Sequence, residues 1–271
     1  MGGDLFDRYP DWTREADAIL GYSIRELCVE DPRGELGLTA FTQPALFVVD
    51  ALTYRARQEG GAPPPALVAG HSLGEYVALL AADVFDFATG LCLVHQRGQL
   101  MGRVGGGGMS AVIGLEPKRI QGVLHDSDEG RRIDVANFNS QDQTVLAGPK
   151  ADLAAVKPHL EAAGARAVIP LNVSAPFHSR YMREAQAEFA EYLRGFSFAV
   201  PAIPVVSNVS ARPYEGDMVR QTLSEQIGNS VRWLETIQYC LAQQDPQFEE
   251  VGPGTVLTRL LAQIKKFRIQ N

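Results

Sequence analysis

Apolar residues recur every three or four positions in "DWTREADAIL" (residues 11–20) and "TQPALFVVDALTYRARQEG" (42–60), with acids and bases between them. That spacing predicts two helices, each with one buried stripe. "GAPPP" (61–65) stops the second, and "ALVAG" (66–70) is an apolar run of strand length. Helices are predicted again from about Glu75 to Ala82 and from about Asp86 to Met101, with Asp86 as the N-cap.

Beyond "GRVGGGG" (102–108), which reads as a flexible connection, the periodicity becomes regular. "MSAVIG" predicts a strand, "EPKRIQGVLHD" a helix, "RRIDVAN" and "QTVLAGP" two strands, "KADLAAVKPHLEAAG" a helix and "ARAVIPLNVS" a strand. The order βαββαβ is that of the split ferredoxin-like unit. It defines a small inserted domain at residues 106–171, with a larger domain built from 1–105 and 172–271. In the larger domain a helix is expected near Arg180, a strand in "PAIPVVSNVS", helices to about Gln244, and strand, glycine turn and helix in "PQFEEVGPGTVLTRLLAQI". Strands alternating with helices predict an α/β fold with a mostly parallel, hydrolase-like sheet.

Composition narrows the class. The 271 residues are 45% hydrophobic and 21% charged, as in a folded globular chain. Net charge is −7 with no long basic run, which argues against nucleic acid as a partner. Cys28, Cys92 and Cys240 are odd in number and far apart, so neither a disulfide framework nor a metal site is expected. With no run of 18 apolar residues and no signal pattern at "MGGDLFDRYPDW", the expectation is a cytoplasmic protein without a membrane span.

The chemistry starts at "LVAGHSLGEYVALLAA" (67–82), where Gly70, Ser72 and Gly74 form G-x-S-x-G between a strand and a helix. This spacing exposes a serine hydroxyl on a sharp turn at the head of a helix. Such a serine needs a base. Of five histidines, His71 leaves the turn in another direction, His95 sits within a helix, and His125 and His159 lie late in helices of the inserted domain. His178, in "PLNVSAPFHSRYM", follows a strand at the edge where open α/β sheets gather ligands, and is the candidate base. No acidic residue suggests itself as its orienter, so a Ser-His dyad is expected, with the imidazole held by a carbonyl or an amide. Arg97 has Leu93, Val94, Leu100 and Met101 as helical neighbours and therefore points into a buried face. Unless its side chain snorkels out to water, a buried cation must meet an anion, either an internal carboxylate or a substrate carboxylate held bidentate.

Taken in order, "GHSLGEYVALLAA", "LVHQRGQLM", "VANFNSQDQTVLAG", "VSAPFHS", "SEQIGNSVRW" and "EEVGPGTVLTRL" resemble malonyl-CoA:acyl carrier protein transacylases, which include the acyltransferases of polyketide synthases. The likeness covers nearly the whole chain. It implies a ping-pong transfer from malonyl-CoA, through a malonyl ester on Ser72, to the phosphopantetheine thiol of an acyl carrier protein, with no permanently bound cofactor. It implies His178 as base and then acid, Arg97 as the clamp on the malonyl carboxylate, the Gln226 carbonyl as orienter of the histidine, and the Leu73 amide as an oxyanion donor. Gln43, Asn137 and His71 match positions near the pocket. Phe177 matches the malonyl type, where a ring fills the space an α-methyl would need. The "SAPFH" form leans towards a trans-acting polyketide acyltransferase. Family members begin with a strand and a "GQGSQ" loop that supplies a second oxyanion amide. "MGGDLFDRYP" matches the segment just after that loop, so the resemblance implies that this strand and donor are missing from the sequence.

Two other readings compete. An acyl hydrolase on the same fold would use water in place of the carrier thiol, and such relatives tend to lack the clamp arginine. A non-catalytic docking protein would bind carriers alone. For an acidic carrier, Arg131–Arg132 and Lys265–Lys266–Arg268 are the candidate basic patches.

Overall fold

The computed structural model describes residues 1–270 and, for side chains, residues 1–267. Helices α1 (Leu5–Arg8), α2 (Pro10–Leu20), α3 (Ile24–Val29) and α4 (Thr39–Glu59) lead into strand β1 (Val68–Ala69). Helices α5 (Gly74–Ala81) and α6 (Phe87–Arg103) follow. Next come β2 (Gly107–Ile113), α7 (Pro117–His125), β3 (Asp134–Ser140), β4 (Gln143–Pro149), α8 (Lys150–Ala162) and β5 (Ala167–Pro170). The chain ends with α9 (Arg183–Leu193), β6 (Val205–Val206), α10 (Val219–Gly228), α11 (Trp233–Leu241) and α12 (Val256–Gln270).

Among the described residues the sheets are mixed. β3-β4-β2-β5 form a four-stranded antiparallel sheet, while β1 and β6 form a two-stranded parallel one. The mostly parallel sheet expected from the alternation of elements is thus reduced to a short ladder, Val68 opposite Val205 and Ala69 opposite Val206. Pro201 and Pro204 lack the N–H that would extend it upstream. Nor is "PQFEEVG" a strand: it has no ladder partner among the described residues, and Glu250 instead turns its carboxylate onto the backbone N–H groups of Leu257 and Thr258. Gly107 and Gly108, read as connection, belong to β2 and pair with Pro149 and Gly148. Among the described residues no helix is long and apolar enough to cross a membrane.

Two cores explain the arrangement. The antiparallel sheet packs Val112, Leu146 and Val168 against Ile120, Leu124, Leu153 and Val156 of α7 and α8. The larger core joins α2, α4, α5, α6, α9 and α10, where the Trp12 ring stacks on Phe87 at 4.5 Å and Phe87 lies 5.9 Å from Phe47. α6 begins as read: the Asp86 carboxylate accepts from the Thr89 N–H at 2.8 Å. Gly98 then lets α6 close on α4, because a Cβ there would stand 3.0 Å from the Thr39 carbonyl oxygen. This close approach carries Arg97 to the first turns of α4.

Two turns beyond Gln43 on α4, Asp50 lies under the 252–254 turn, its Oδ1 shielded from solvent and without a hydrogen-bond partner among the described residues. Burial, assisted by the Glu250 carboxylate, lifts its carboxyl to about 7. A pKa raised on folding adds stability that is full below the unfolded value, near 4, and is lost as pH rises through 7. Asp50→Asn should therefore gain on the wild type by about 3 kcal/mol as pH rises from about 4.5 to about 7.5, read from urea unfolding at each pH.

Candidate active site

β1 and β6 run parallel, so their C-terminal ends open on the same edge, and both ends contribute to the site. After Ala69 the chain turns directly into α5. A Cβ on Gly70 would lie 1.9 Å from the Gly74 carbonyl carbon, so only hydrogen fits there. Ser72 takes a left-handed φ of 52°, which a non-glycine residue adopts only under constraint. The constraint comes from Asn208, two residues beyond β6. Its Oδ1 accepts from the Ser72 N–H at 2.7 Å, and its Nδ2 donates to the Gly70 carbonyl at 2.7 Å. The side-chain amide staples the turn from both sides.

His178 also sits at a left-handed φ, 55°, and is buried. Its Nε2 is 2.7 Å from Ser72 Oγ, and its Nδ1 is 2.9 Å from the Gln226 carbonyl oxygen. A carbonyl only accepts, so Nδ1 carries the proton and Nε2 is left bare to accept from the serine hydroxyl. Burial, and after it the Arg97 guanidinium, push the imidazole down to about 3, against the pull of the Gln226 carbonyl. It is therefore neutral at any physiological pH.

Arg97 is 1% exposed. Its Nη1 donates to Gln43 Oε1 at 2.5 Å, and its Nη2 to Gln226 Oε1 at 2.9 Å and to Ser72 Oγ at 3.2 Å. The guanidinium carbon lies 5.5 Å from the centre of the Tyr76 ring. Among the described residues Nε has no hydrogen-bond partner, and no carboxylate makes a salt bridge with the group. The anion demanded by its burial is not in direct contact.

The anion that acts on it is Glu75, wholly buried in the first turn of α5. It accepts from the Tyr214 hydroxyl at 2.5 Å, Gln226 Nε2 at 2.6 Å and the Asn208 N–H at 3.2 Å. Burial lifts its carboxyl to about 6, although these donors and Arg97 pull it down. Gln226 Nε2 donates also to the Ser72 carbonyl at 2.8 Å. One side chain thus spans the serine turn, the arginine and the carboxylate.

The remaining candidates divide. The Leu73 N–H, at the head of α5, makes no hydrogen bond to the described residues and is free to donate. Phe177 is half-buried and packs against both the larger core and the Met109–Val145 face of the antiparallel sheet. His71 turns away from Ser72: its Nε2 meets Asn139 Oδ1 at 2.9 Å, and its ring packs edgewise on Trp233 at 5.5 Å. Asn137 is buried on β3, where its backbone bridges to Val231, but its side chain makes no hydrogen bond to the described residues. Asn139, two residues further along the irregular β3, is the one that meets His71.

A profile of the acyl transferase domain matches residues 1–267. The chain belongs to that family. This acyl transferase domain is 47% identical, over 98% of its length, to the polyketide biosynthesis malonyl CoA-acyl carrier protein transacylase PksC of Bacillus subtilis, 92% of which it covers. It is 50% identical to the polyketide biosynthesis protein ThaF of Burkholderia thailandensis over 97% of its own length, but spans only 23% of ThaF. Among solved structures it superposes on the malonyl CoA-acyl carrier protein transacylase of Burkholderia pseudomallei with a TM-score of 0.94 at 48% identity, covering 98% of this chain and 93% of that one. It also superposes, with a TM-score of 0.93 at 38% identity and 98% and 88% coverage, on a malonyl-transacylase in complex with a type II polyketide acyl-carrier protein.

Reading the sequence residue by residue missed Glu75, Tyr214, Asn139 and Asn208. Glu75 had a signal, a carboxylate in the otherwise apolar "LGEYVALLAA". The others are polar residues in polar loops or irregular strands and had none. Asn208→Ala should leave the Ser72 N–H and the Gly70 carbonyl unpaired and cost the acyl transferase domain about 2 kcal/mol, measured by urea unfolding. Loss of the turn should also slow covalent labelling of Ser72.

Proposed function

We propose that this acyl transferase domain moves a malonyl group from malonyl-CoA to the phosphopantetheine thiol of an acyl carrier protein, as a trans-acting, cytoplasmic enzyme of polyketide synthesis. The observation that carries the reading is Arg97, a buried cation with no carboxylate in contact and one Nη 3.2 Å from the candidate nucleophile. A malonyl carboxylate would supply the missing anion where an acetyl group could not. The named activity of PksC, and the carrier complex of the related transacylase, support the same donor and partner.

In the first half-reaction Ser72 Oγ attacks the thioester carbonyl while its proton passes to His178 Nε2. The oxyanion that forms accepts from the Leu73 N–H, with the α5 dipole behind it. Collapse of the tetrahedral intermediate breaks the C–S bond, and the leaving thiolate takes the proton from His178. In the second half-reaction the carrier thiol gives its proton to His178, attacks the malonyl ester and releases Ser72, which recovers the proton. The clamp also tunes the base. A carboxylate on Arg97 offsets the charge that depresses His178, so the imidazole becomes more basic as a carboxylated donor binds. Phe177, at the seam of the two cores, would exclude an α-methyl group, while Gln43 holds the guanidinium. His71 and Asn137 would line the approach rather than touch the reacting carbonyl. The βαββαβ order and the strand order of its sheet support reading residues 106–171 as a ferredoxin-like small domain set into a hydrolase-like large one, 1–105 and 172–271.

For the carrier, the two basic groups differ. Arg132 is committed to Asp152, with its Nε at 2.8 Å from Oδ2, and Lys265 lies over the Phe248 ring, whereas Arg131 is exposed beside Asp128. The Arg268 side chain falls outside the described residues. Arg131 is the better contact for an acidic partner.

Intact-protein mass after brief exposure to malonyl-CoA should show a malonyl adduct that disappears in Ser72→Ala and falls at least 100-fold in rate in Arg97→Ala. Undiminished labelling of Arg97→Ala would remove the clamp, and rapid hydrolysis of acetyl thioesters with little malonyl transfer would favour the hydrolase. Because His178 is already neutral, kcat/KM for malonyl-CoA should show no loss between pH 7.5 and 5.5, where an imidazole of ordinary pKa would cost about tenfold.

A further inference from the structure

Glu75 is a buried carboxylate that the transfer steps do not use. It is 0% exposed and makes no hydrogen bond with the serine hydroxyl or the imidazole. Its position relative to Arg97 is specific all the same. Arg97 Nη2 donates to Gln226 Oε1 at 2.9 Å, and the other end of the same amide donates to Glu75 Oε2 at 2.6 Å. The orientation of that amide is forced. A guanidinium can only donate, so it needs the oxygen; an ionised carboxylate and the Ser72 carbonyl can only accept, so they need the nitrogen. Arg97 and Glu75 are therefore a cation and an anion joined through one neutral side chain, and together they leave the empty site without net charge.

A clamped substrate carboxylate disturbs this balance. It brings a second negative charge to Arg97 in a closed, poorly solvated space, where like charges repel strongly. We propose that Glu75 is the standing counter-charge of Arg97 and a positioning residue for it through Gln226, and that it takes up a proton from water when a donor carboxylate occupies the guanidinium. The proposal rests on the clamp reading of Arg97. In the step, one proton leaves bulk water and bonds to a Glu75 carboxylate oxygen. The arginine then pairs with the substrate, and the buried site again carries no net charge. An acyl group without a carboxylate would induce no uptake. Glu75 would thus help the enzyme register the charge of its donor.

The groups that face Glu75 permit this. Arg97 approaches from α6, Tyr214 from the loop before α10, and Tyr76 from α5 itself, and His178 and His71 are the other titratable groups of the site. Burial lifts both tyrosines well above their usual range, and burial lowers both imidazoles. Near neutral pH none of these four competes for the proton in the empty site. The Glu75 carboxyl, already lifted to about 6 in that state by burial, is within reach of protonation once a further negative charge arrives.

The test is the pH dependence of KM for malonyl-CoA, with the full chain and its carrier, in the wild type, Glu75→Gln and Tyr214→Phe. If binding takes up a proton at Glu75, wild-type KM rises with pH above about 6, approaching tenfold per unit. Glu75→Gln, which keeps the shape but cannot titrate, should lose that slope. Tyr214→Phe removes a hydrogen bond to the ionised carboxylate, raises its proton affinity in the empty site, and should move the onset of the slope to higher pH. Ionisation of the donor itself is common to all three proteins and cancels in the comparison. A purely structural role for Glu75 would alter stability or kcat and leave the slope unchanged. An equal slope in Glu75→Gln and wild type overturns the proposal, as does a flat wild-type profile. If Glu75→Gln does not fold, an unmoved onset in Tyr214→Phe overturns it alone. Arg97→Ala separates the two readings: undiminished malonyl loading there refutes the clamp, whereas lost loading there, beside an unchanged slope in Glu75→Gln, refutes the Glu75 proposal only.

Discussion

A guanidinium sealed from water without a carboxylate beside it is costly unless its donors are met, and both terminal nitrogens of Arg97 are met, from three directions, while Nε is left over. Gln43 comes from α4, Gln226 from α10, and Ser72 from the turn before α5. Each partner must be held where the arginine needs it, so the relative placement of four helices is tied to one side chain. Gly98 shows how closely. Without a side chain at that position α6 can meet α4 at Thr39, and Arg97, one residue earlier, reaches Gln43.

The same charge organises the electrostatics of the site. Together with burial it holds His178 neutral, and through Gln226 it is balanced by Glu75. The imidazole needs no carboxylate behind it, because the Gln226 carbonyl already fixes the tautomer. A carboxylate in that place would attract the cation next to it and make the histidine harder to deprotonate. The dyad and the buried arginine are compatible because the orienting group is a neutral dipole.

Position in the fold supplies the rest. Ser72 and Asn208 follow two neighbouring parallel strands, and His178 follows the last strand of the antiparallel sheet. The two parts are pinned near the site by the Arg180–Asp134 ion pair and by hydrogen bonds of β3 with Val231, with Trp233 close behind on α11. Phe177 and His71 lie on this seam and contact both sides. A substrate entering along it would meet polar groups from two separately packed cores.

Much of this was legible in the chain. The G-x-S-x-G turn, the Asp86 cap, the βαββαβ order and the inward face of Arg97 follow from local steric rules and helical periodicity, which act over a few residues and so are written in consecutive positions. Elimination among five histidines was enough to isolate His178. The parallel sheet was over-read, because short segments such as "PQFEEVG" become strands only when another strand is there to pair with them. Pairing between residues more than a hundred positions apart also decided Asn208 as the staple of the serine turn, and the meeting of the serine turn with β3 decided Asn139 as the partner of His71. The sequence by itself determined which residues could do the chemistry, since residue type and local spacing single out the candidate nucleophile, the candidate base and the cation. Only the tertiary structure decided what surrounds them. Burial, hydrogen-bond partners and the coupling of Arg97 to Glu75 depend on contacts between distant segments, and no local pattern encodes those.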